Sequence, residues 1–345
     1  MTRFSRTSLI ALAAAGTLAL GACSNAEPAL DSNEPASETA STAATEGAST
    51  SNAASEVTVT DNYGEKVVPS PPKRVVALDN RSFELLDAWG IKPVAAARQI
   101  VPNTIPGIAD DEDIIDIGNH REPNLEAIVA ADPDVIVSGQ RFEQYDEEIE
   151  KLVPDAVLLD FEPRDGEPFD RELIRQTLDL GEVFGKQAEA EQTVKAFTEA
   201  VQRVRDAYNP DQTVMALNVS GGEIGYVAPG VGRVWGPLFD LIGFTPALEV
   251  ADASDDHQGD DISVEAIAAS NPNWLLVLDR DAGTKSDEGS PAALSVISDS
   301  AALKNVDAVK ENHIYIAPKD TYTNESIITY TEILNQLADM FEAGK

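Results

Sequence analysis

Cysteine is almost missing from this 345-residue chain: Cys23 is the single one, so no intrachain disulfide can staple the fold. Histidine occurs three times, and no two histidines stand at a metal-binding spacing, so a dedicated zinc or calcium site is not expected. Cations are scarce as well. The 25 Lys and Arg face 60 Asp and Glu, for a formal net charge of −35. A surface of that sign repels phosphate backbones, which excludes nucleic acid as a partner. Catalytic signatures are also lacking: the chain holds no Gly-x-Ser-x-Gly elbow, no P-loop, no Gly-x-Gly-x-x-Gly after a strand and no cysteine nucleophile. An enzyme is not expected. The one long apolar run covers residues 9–20, too short for a permanent membrane span.

What is present begins with a targeting segment. Arg3 and Arg6 precede that apolar run, and Leu20-Gly21-Ala22-Cys23 resembles a lipobox, the site at which a bacterial lipoprotein is cleaved and lipidated. Residues 1–22 are read as a lipoprotein signal peptide and Cys23 as the lipidated residue. The expected location is the extracytoplasmic face of the cell membrane, held by lipid. Residues 23–56 are Ala, Ser, Thr, Glu and Asn with almost no large apolar side chain. Such a segment cannot offset its ordering entropy, so it is read as a disordered tether.

The body is organised around a repeat. Residues 125–138 read LEAIVAADPDVIVS and residues 264–277 read VEAIAASNPNWLLV. Setting Glu126 on Glu265 gives an offset of 139, which also carries Val75-Val76-Ala77-Leu78 onto Val214-Met215-Ala216-Leu217 and Arg141 onto Arg280. Each copy reads as a short helix, an Asp-Pro or Asn-Pro stop and a buried strand. Before the first copy, residues 57–68 read as a hairpin, followed by strands near 74–78, 93–96 and 114–117 and a helix from Ser82 to Trp89. The alternation implies α/β lobes with largely parallel sheets. Residues 170–208 are helical in pattern, split at Gly181 and Gly185, and the longer piece, 188–208, is placed to connect the lobes. The expected plan is a lobe at 57–187, the connecting helix at 188–208 and a second lobe at 209–345: two Rossmann-like lobes joined by a single long helix. In the second lobe, Ser220-Gly221-Gly222 opens a long loop, 220–233, and residues 252–261 and 281–290 form polar loops.

Ligands in open α/β sheets sit beyond the carboxyl ends of the strands. Arg141 and Arg280 follow equivalent strands by a few residues, and Arg233 lies in the long second-lobe loop. Two readings of these arginines stand: surface ion pairs, worth about 0–1 kcal/mol each, or a convergent cluster that forks onto the oxygens of an anionic ligand. Glu126 and Glu265 occupy the first turns of equivalent helices. They either favour the helix dipole or form a matched pair of acids that docks on arginines of a membrane partner. His313 reads as structural and His120 as a bystander near the cleft. His257 and Tyr322 carry a nitrogen and a phenolate oxygen suited to iron(III).

From about residue 57 onward the chain resembles the substrate-binding lipoproteins of ABC importers for iron–siderophore complexes, a class that includes vitamin B12-binding proteins. The resemblance rests on Arg74-Val75-Val76-Ala77-Leu78, Glu122-Pro123-Asn124-Leu125-Glu126-Ala127-Ile128, Asp132-Pro133-Asp134 and the repeat around Glu265. The subgroup it is most similar to binds ferric catecholate siderophores. The resemblance implies that Arg141, Arg233 and Arg280 hold an anionic ferric siderophore and that His257 and Tyr322 complete iron coordination. It also implies that Glu126 and Glu265 dock the permease, whose ATPase drives transport, and that the chain is a monomer with no permanent cofactor. The sequence departs from the subgroup twice: Gln140 intervenes between Gly139 and Arg141, and Thr323-Asn324-Glu325-Ser326 stands where a small, glycine-rich run is the pattern. Alternatives within the class are haem, cobalamin or hydroxamate-siderophore binders; outside it, a surface enzyme or adhesin on the same scaffold.

Overall fold

The computed structural model describes residues 55–284 and 290–344. The expected signal peptide, Cys23 and all but the last two residues of the tether lie outside them, as do residues 285–289 of the polar loop 281–290. Strands β1 (Ser55–Asp61) and β2 (Gly64–Ser70) form the antiparallel hairpin, so β1 begins two residues inside the expected tether. Asp61 turns the chain by accepting from the Tyr63 amide at 2.8 Å.

The first sheet takes β3 (Val75–Ala77), β4 (Ala95–Ala96) and β5 (Ile115–Asp116), while β6 (Gly118–Asn119) and β7 (Glu122–Pro123) make a separate two-residue hairpin. It is completed by β8 (Val135–Ser138) and β9 (Val157–Asp160). The order is β5-β4-β3-β8-β9, parallel throughout. Every residue of β3 and β8 is buried, which is why both read as unbroken apolar runs rather than alternating ones.

The second sheet contains β10 (Thr213–Ser220), β11 (Glu223–Val227), β12 (Thr245–Pro246), β13 (Asp260–Asp261), β14 (Trp274–Asp279) and β15 (Ile314–Ile316). Its order is β13-β11-β10-β14-β15, with β12 also on β10. Here the sequence reading is corrected. The expected loop 220–233 contains β11, which pairs antiparallel with β10 across Gly221 and Gly222. Those glycines have φ of 62° and 82°, the left-handed pair that a two-residue hairpin turn demands. The 139-residue repeat holds in three dimensions: Val75 pairs with Val135, and Val214 pairs with Trp274, the same register 139 positions later. Helices Leu125–Ala131 and Val264–Ser270 share it, each capped by a side chain (Asn124, Ser263) and each ended by a left-handed residue, Asp132 or Asn271.

Between the sheets run helices Phe169–Phe184 and Gln187–Ala207. Only Gly185, at φ 64°, breaks them. Gly181 lies inside the first helix, where an added Cβ would come within 2.6 Å of the Ala190 Cβ, so it permits close approach of the two helices instead of a break. Two α/β lobes joined by a long helix is the architecture. The C-terminal helix Ile327–Ala343 packs back along Gln187–Ala207, where Arg203 pairs with Asp339 and with Glu342 at 2.8 Å. Its Phe341 meets Tyr208, Phe244 and Trp274 edge to face or tilted, so one apolar core runs beneath both lobes. His313 stacks flat on Trp274 with centroids 3.9 Å apart, the structural role expected of it.

Candidate functional site

The strand ends deliver side chains to a single cavity of about 540 Å³. Arg141 enters on the turn of 3-10 helix Gln140–Tyr145 that follows β8. Gly139 at φ 151° and Gln140 at φ 48° redirect the chain there, so the extra residue before Arg141 is absorbed by a left-handed bend and the guanidinium still reaches the cavity. Arg280 leaves β14 directly, at the start of helix Arg280–Gly283; Asp279 caps that turn by accepting from the Ala282 amide at 3.1 Å. Arg233 comes from the segment between β11 and helix Gly236–Ile242. His257 sits in the loop before β13, its side chain largely exposed and its carbonyl accepting from Asn218 at 3.0 Å.

Tyr322 organises the arginines. The residue is 3% exposed, and guanidiniums lie over its ring at 4.6 Å for Arg233 and 5.1 Å for Arg280. The negative π-face offsets part of the cation–cation repulsion, by about 0.5–2 kcal/mol for each guanidinium. Arg233 also donates to the Tyr322 carbonyl at 2.9 Å and pairs with Glu325. Arg280 donates to the Ser220 hydroxyl at 3.0 Å. Burial, and then the nearby charge of Arg233, lower the Arg141 pKa from its ordinary value; a hydrogen bond to Tyr322 acts in the opposite direction.

All five ligand residues singled out in the sequence therefore line one cavity. Two more charged or titratable groups join them. Arg121, at the tip of the β6–β7 hairpin, adds a fourth guanidinium, and His120 beside it adds a second imidazole. Burial, followed by the charges of Arg141 and Arg121, pushes the His120 pKa down from its ordinary value. No Asp or Glu lines the cavity among the described residues. Among the described residues Arg121, Arg141 and Arg280 form no ion pair, whereas Arg233 pairs with the buried Glu325. In a protein of charge −35, this is a local inversion of sign. Sequence reasoning missed Arg121, although the adjacent His120 was already placed near the cleft. It also missed the role of Glu325, which stands three residues after Tyr322 and entered the sequence reading only as part of a departure from the subgroup's pattern.

Glu126 and Glu265 do not join the cavity. Both are exposed on the first turns of their helices, and neither forms an ion pair among the described residues.

The sequence profile of the family described as "Periplasmic binding protein" matches residues 75–321. The ferric-anguibactin-binding protein FatB of Vibrio anguillarum is 27% identical over 290 residues, covering 83% of this chain and 88% of that protein. The petrobactin-binding protein YclQ of Bacillus subtilis is 27% identical over 289 residues, covering 82% and 86%. The crystal structure of YclQ superposes with a TM-score of 0.71 at 21% identity, covering 84% of this chain and 99% of that one. The periplasmic catecholate-siderophore binding protein VctP of Vibrio cholerae gives a TM-score of 0.69 at 23% identity, covering 84% and 100%.

Proposed function

This chain belongs to the periplasmic binding protein family, and from that premise we propose that it is an extracytoplasmic receptor that captures an anionic ferric siderophore, of catecholate type, and hands it to an ABC permease. The observation that carries the reading is the cavity lined by four guanidiniums and by no carboxylate among the described residues. Clustered guanidiniums repel one another: burial first, and then the charge of Arg233, lower the Arg141 pKa. An anion placed among them relieves that repulsion and gains charge-assisted hydrogen bonds in a partly desolvated cleft. The named ligands of FatB, YclQ and VctP support the ligand class.

In this reading Arg141, Arg233 and Arg280 hold the catecholate oxygens, and the exposed His257 supplies a nitrogen to iron. Tyr322 has two contributions: its ring carries two guanidiniums, and its phenolic oxygen lines the same cavity. The receptor performs no chemistry of its own and keeps no permanent cofactor; ATP hydrolysis belongs to the importer's ATPase. Cys23 carries the lipid, and residues 24–54 tether a monomeric body near the membrane, raising its local concentration at the permease. Glu126 and Glu265, matched across the two lobes and free of ion pairs among the described residues, dock that permease.

The test is a fluorescence titration. Trp235 is buried two residues from Arg233, and its amide donates to the Arg233 carbonyl at 2.7 Å, so movement of that segment reaches the indole. Ferric catecholate complexes are expected to quench with affinity at least tenfold above ferric hydroxamate or haem. Tight binding of hydroxamate or haem together with weak binding of anionic complexes defeats the charge argument.

A further inference from the structure

Behind the cavity lies a buried chain of charges that ties the lobes together. Glu325, 4% exposed, precedes the C-terminal helix and is shared by two guanidiniums: Arg81, from the loop after β3, at 3.2 Å, and Arg233 from the second lobe. Arg81 is itself held by both oxygens of Glu162 at 2.8 Å. Arg81 and Arg233 thus balance Glu162 and Glu325. Among the described residues, Arg233 is the one guanidinium of the cavity that reaches the ligand side already paired with a carboxylate. The same contact presses it onto the Tyr322 ring. Burial opposes ionisation of Glu325, but Arg233, Arg81 and Arg141 more than offset it and hold its pKa below the usual carboxylate value.

We propose that Glu325 is the specificity-setting residue of the site: it positions Arg233 across Tyr322 and, by cancelling one guanidinium, fixes how much negative charge the cavity accepts. This rests on the siderophore reading above. Glu325 need not touch the ligand. Because its charge is buried beside the cavity instead of solvated, it reaches a bound complex through a medium of lower dielectric than water.

The experiment is a charge cycle read with two iron complexes, a hexadentate ferric tris-catecholate of charge −3 and a tetradentate ferric bis-catecholate of charge −1. Their affinity ratio is measured for the unsubstituted protein, Glu325→Gln, Arg233→Gln and the double variant. Glu325→Gln adds one positive charge and is expected to raise the ratio in favour of the trianion about tenfold. Arg233→Gln leaves the carboxylate unbalanced and is expected to lower it by a similar factor. The double variant restores the original ratio while both affinities fall. A purely structural Glu325 would weaken both complexes in step, and an unchanged ratio across the cycle overturns the proposal. Should Glu325→Gln not fold, Arg233→Gln against the double variant gives the same comparison. If the unsubstituted protein binds neither complex, the siderophore reading fails and takes this inference with it; binding with an invariant ratio defeats the inference alone.

Discussion

The two copies of the repeat agree in their frame and differ in what they hold out to the cavity. In both, a capped helix, a left-handed stop and a buried strand follow the same register. Beyond the strand the resemblance ends. The first copy reaches the cavity through Gly139 and Gln140, both at positive φ, and delivers one half-buried guanidinium, Arg141, to which its lobe adds Arg121 and His120. The second reaches it directly from β14, and its lobe also supplies Arg233, His257 and the doubly stacked Tyr322. Packing constraints keep the frames alike, because a buried parallel strand tolerates few changes. Loops past the strand ends carry no such constraint: each lobe supplies two guanidiniums and an imidazole, and only the second sets an aromatic ring, Tyr322, beneath its guanidiniums among the described residues.

That asymmetry can be broken at several points. The largest effect is expected at Tyr322, which the second lobe places under two guanidiniums. Tyr322→Ala removes the ring and both cation–π contacts and should weaken ferric catecholate binding about 100-fold, roughly 2.7 kcal/mol. Titration of the variant checks this; a loss below threefold would mean the arginines hold their places without the ring. Next come the arginines as a pair. Arg280→Ala should cost at least tenfold, about 1.4 kcal/mol, because its Nε has no partner among the described residues and Ser220 is its one hydrogen bond there. Arg141→Ala should cost only about threefold. Equal losses would show the lobes to be equivalent at the ligand despite their loops.

A third comparison uses stability. The 139-residue offset sets the buried Asp79 of the first lobe on the buried Asn218 of the second. Burial, and then the charge of Glu162, raise the Asp79 pKa to about 7, whereas an asparagine does not titrate. An acid whose folded pKa lies above its unfolded one destabilises the fold as pH rises between the two values. The unsubstituted protein should therefore lose stability from about pH 4 to 7, and Asp79→Asn, with the Gln176 amide turned round, should lose less. Thermal melts should show the variant more stable at pH 8 by on the order of 2 kcal/mol, or roughly 5 °C, with little gain at pH 4.5. Parallel pH profiles would remove Asp79 from the account. The smallest effect is backbone strain at the first copy: Gln140→Gly, relieving a φ of 48°, should raise the melting temperature by about 2 °C. A fall would mean that the Gln140 side chain contributes more than its backbone costs.

The sequence made the frame legible because the repeat carries its own register; the offset that aligns Glu126 with Glu265 also aligns the paired strands. It made Arg141 and Arg280 legible for a related reason, since strand ends in such sheets point to one crevice; Arg233 was legible from its loop, and His257 and Tyr322 from their donor atoms and the family resemblance. Other features were hidden. Ser220-Gly221-Gly222 reads as the opening of a loop, and the short strand β11 behind it is found only by its pairing with β10. Gly181 reads as a helix breaker, and only the neighbouring helix explains it. The Glu162–Arg81–Glu325–Arg233 chain joins residues as far as 244 positions apart and follows no local period. Long-range polar networks leave no trace in spacing.

In the proposed reading, guanidiniums from both lobes converge on one anion. A crystal structure of the protein with ferric tris-catecholate should then show catecholate oxygens within hydrogen-bond distance of Arg141, Arg233 and Arg280 in the cavity beside Tyr322. A complex seated elsewhere, or one contacting the arginines of a single lobe, would contradict it.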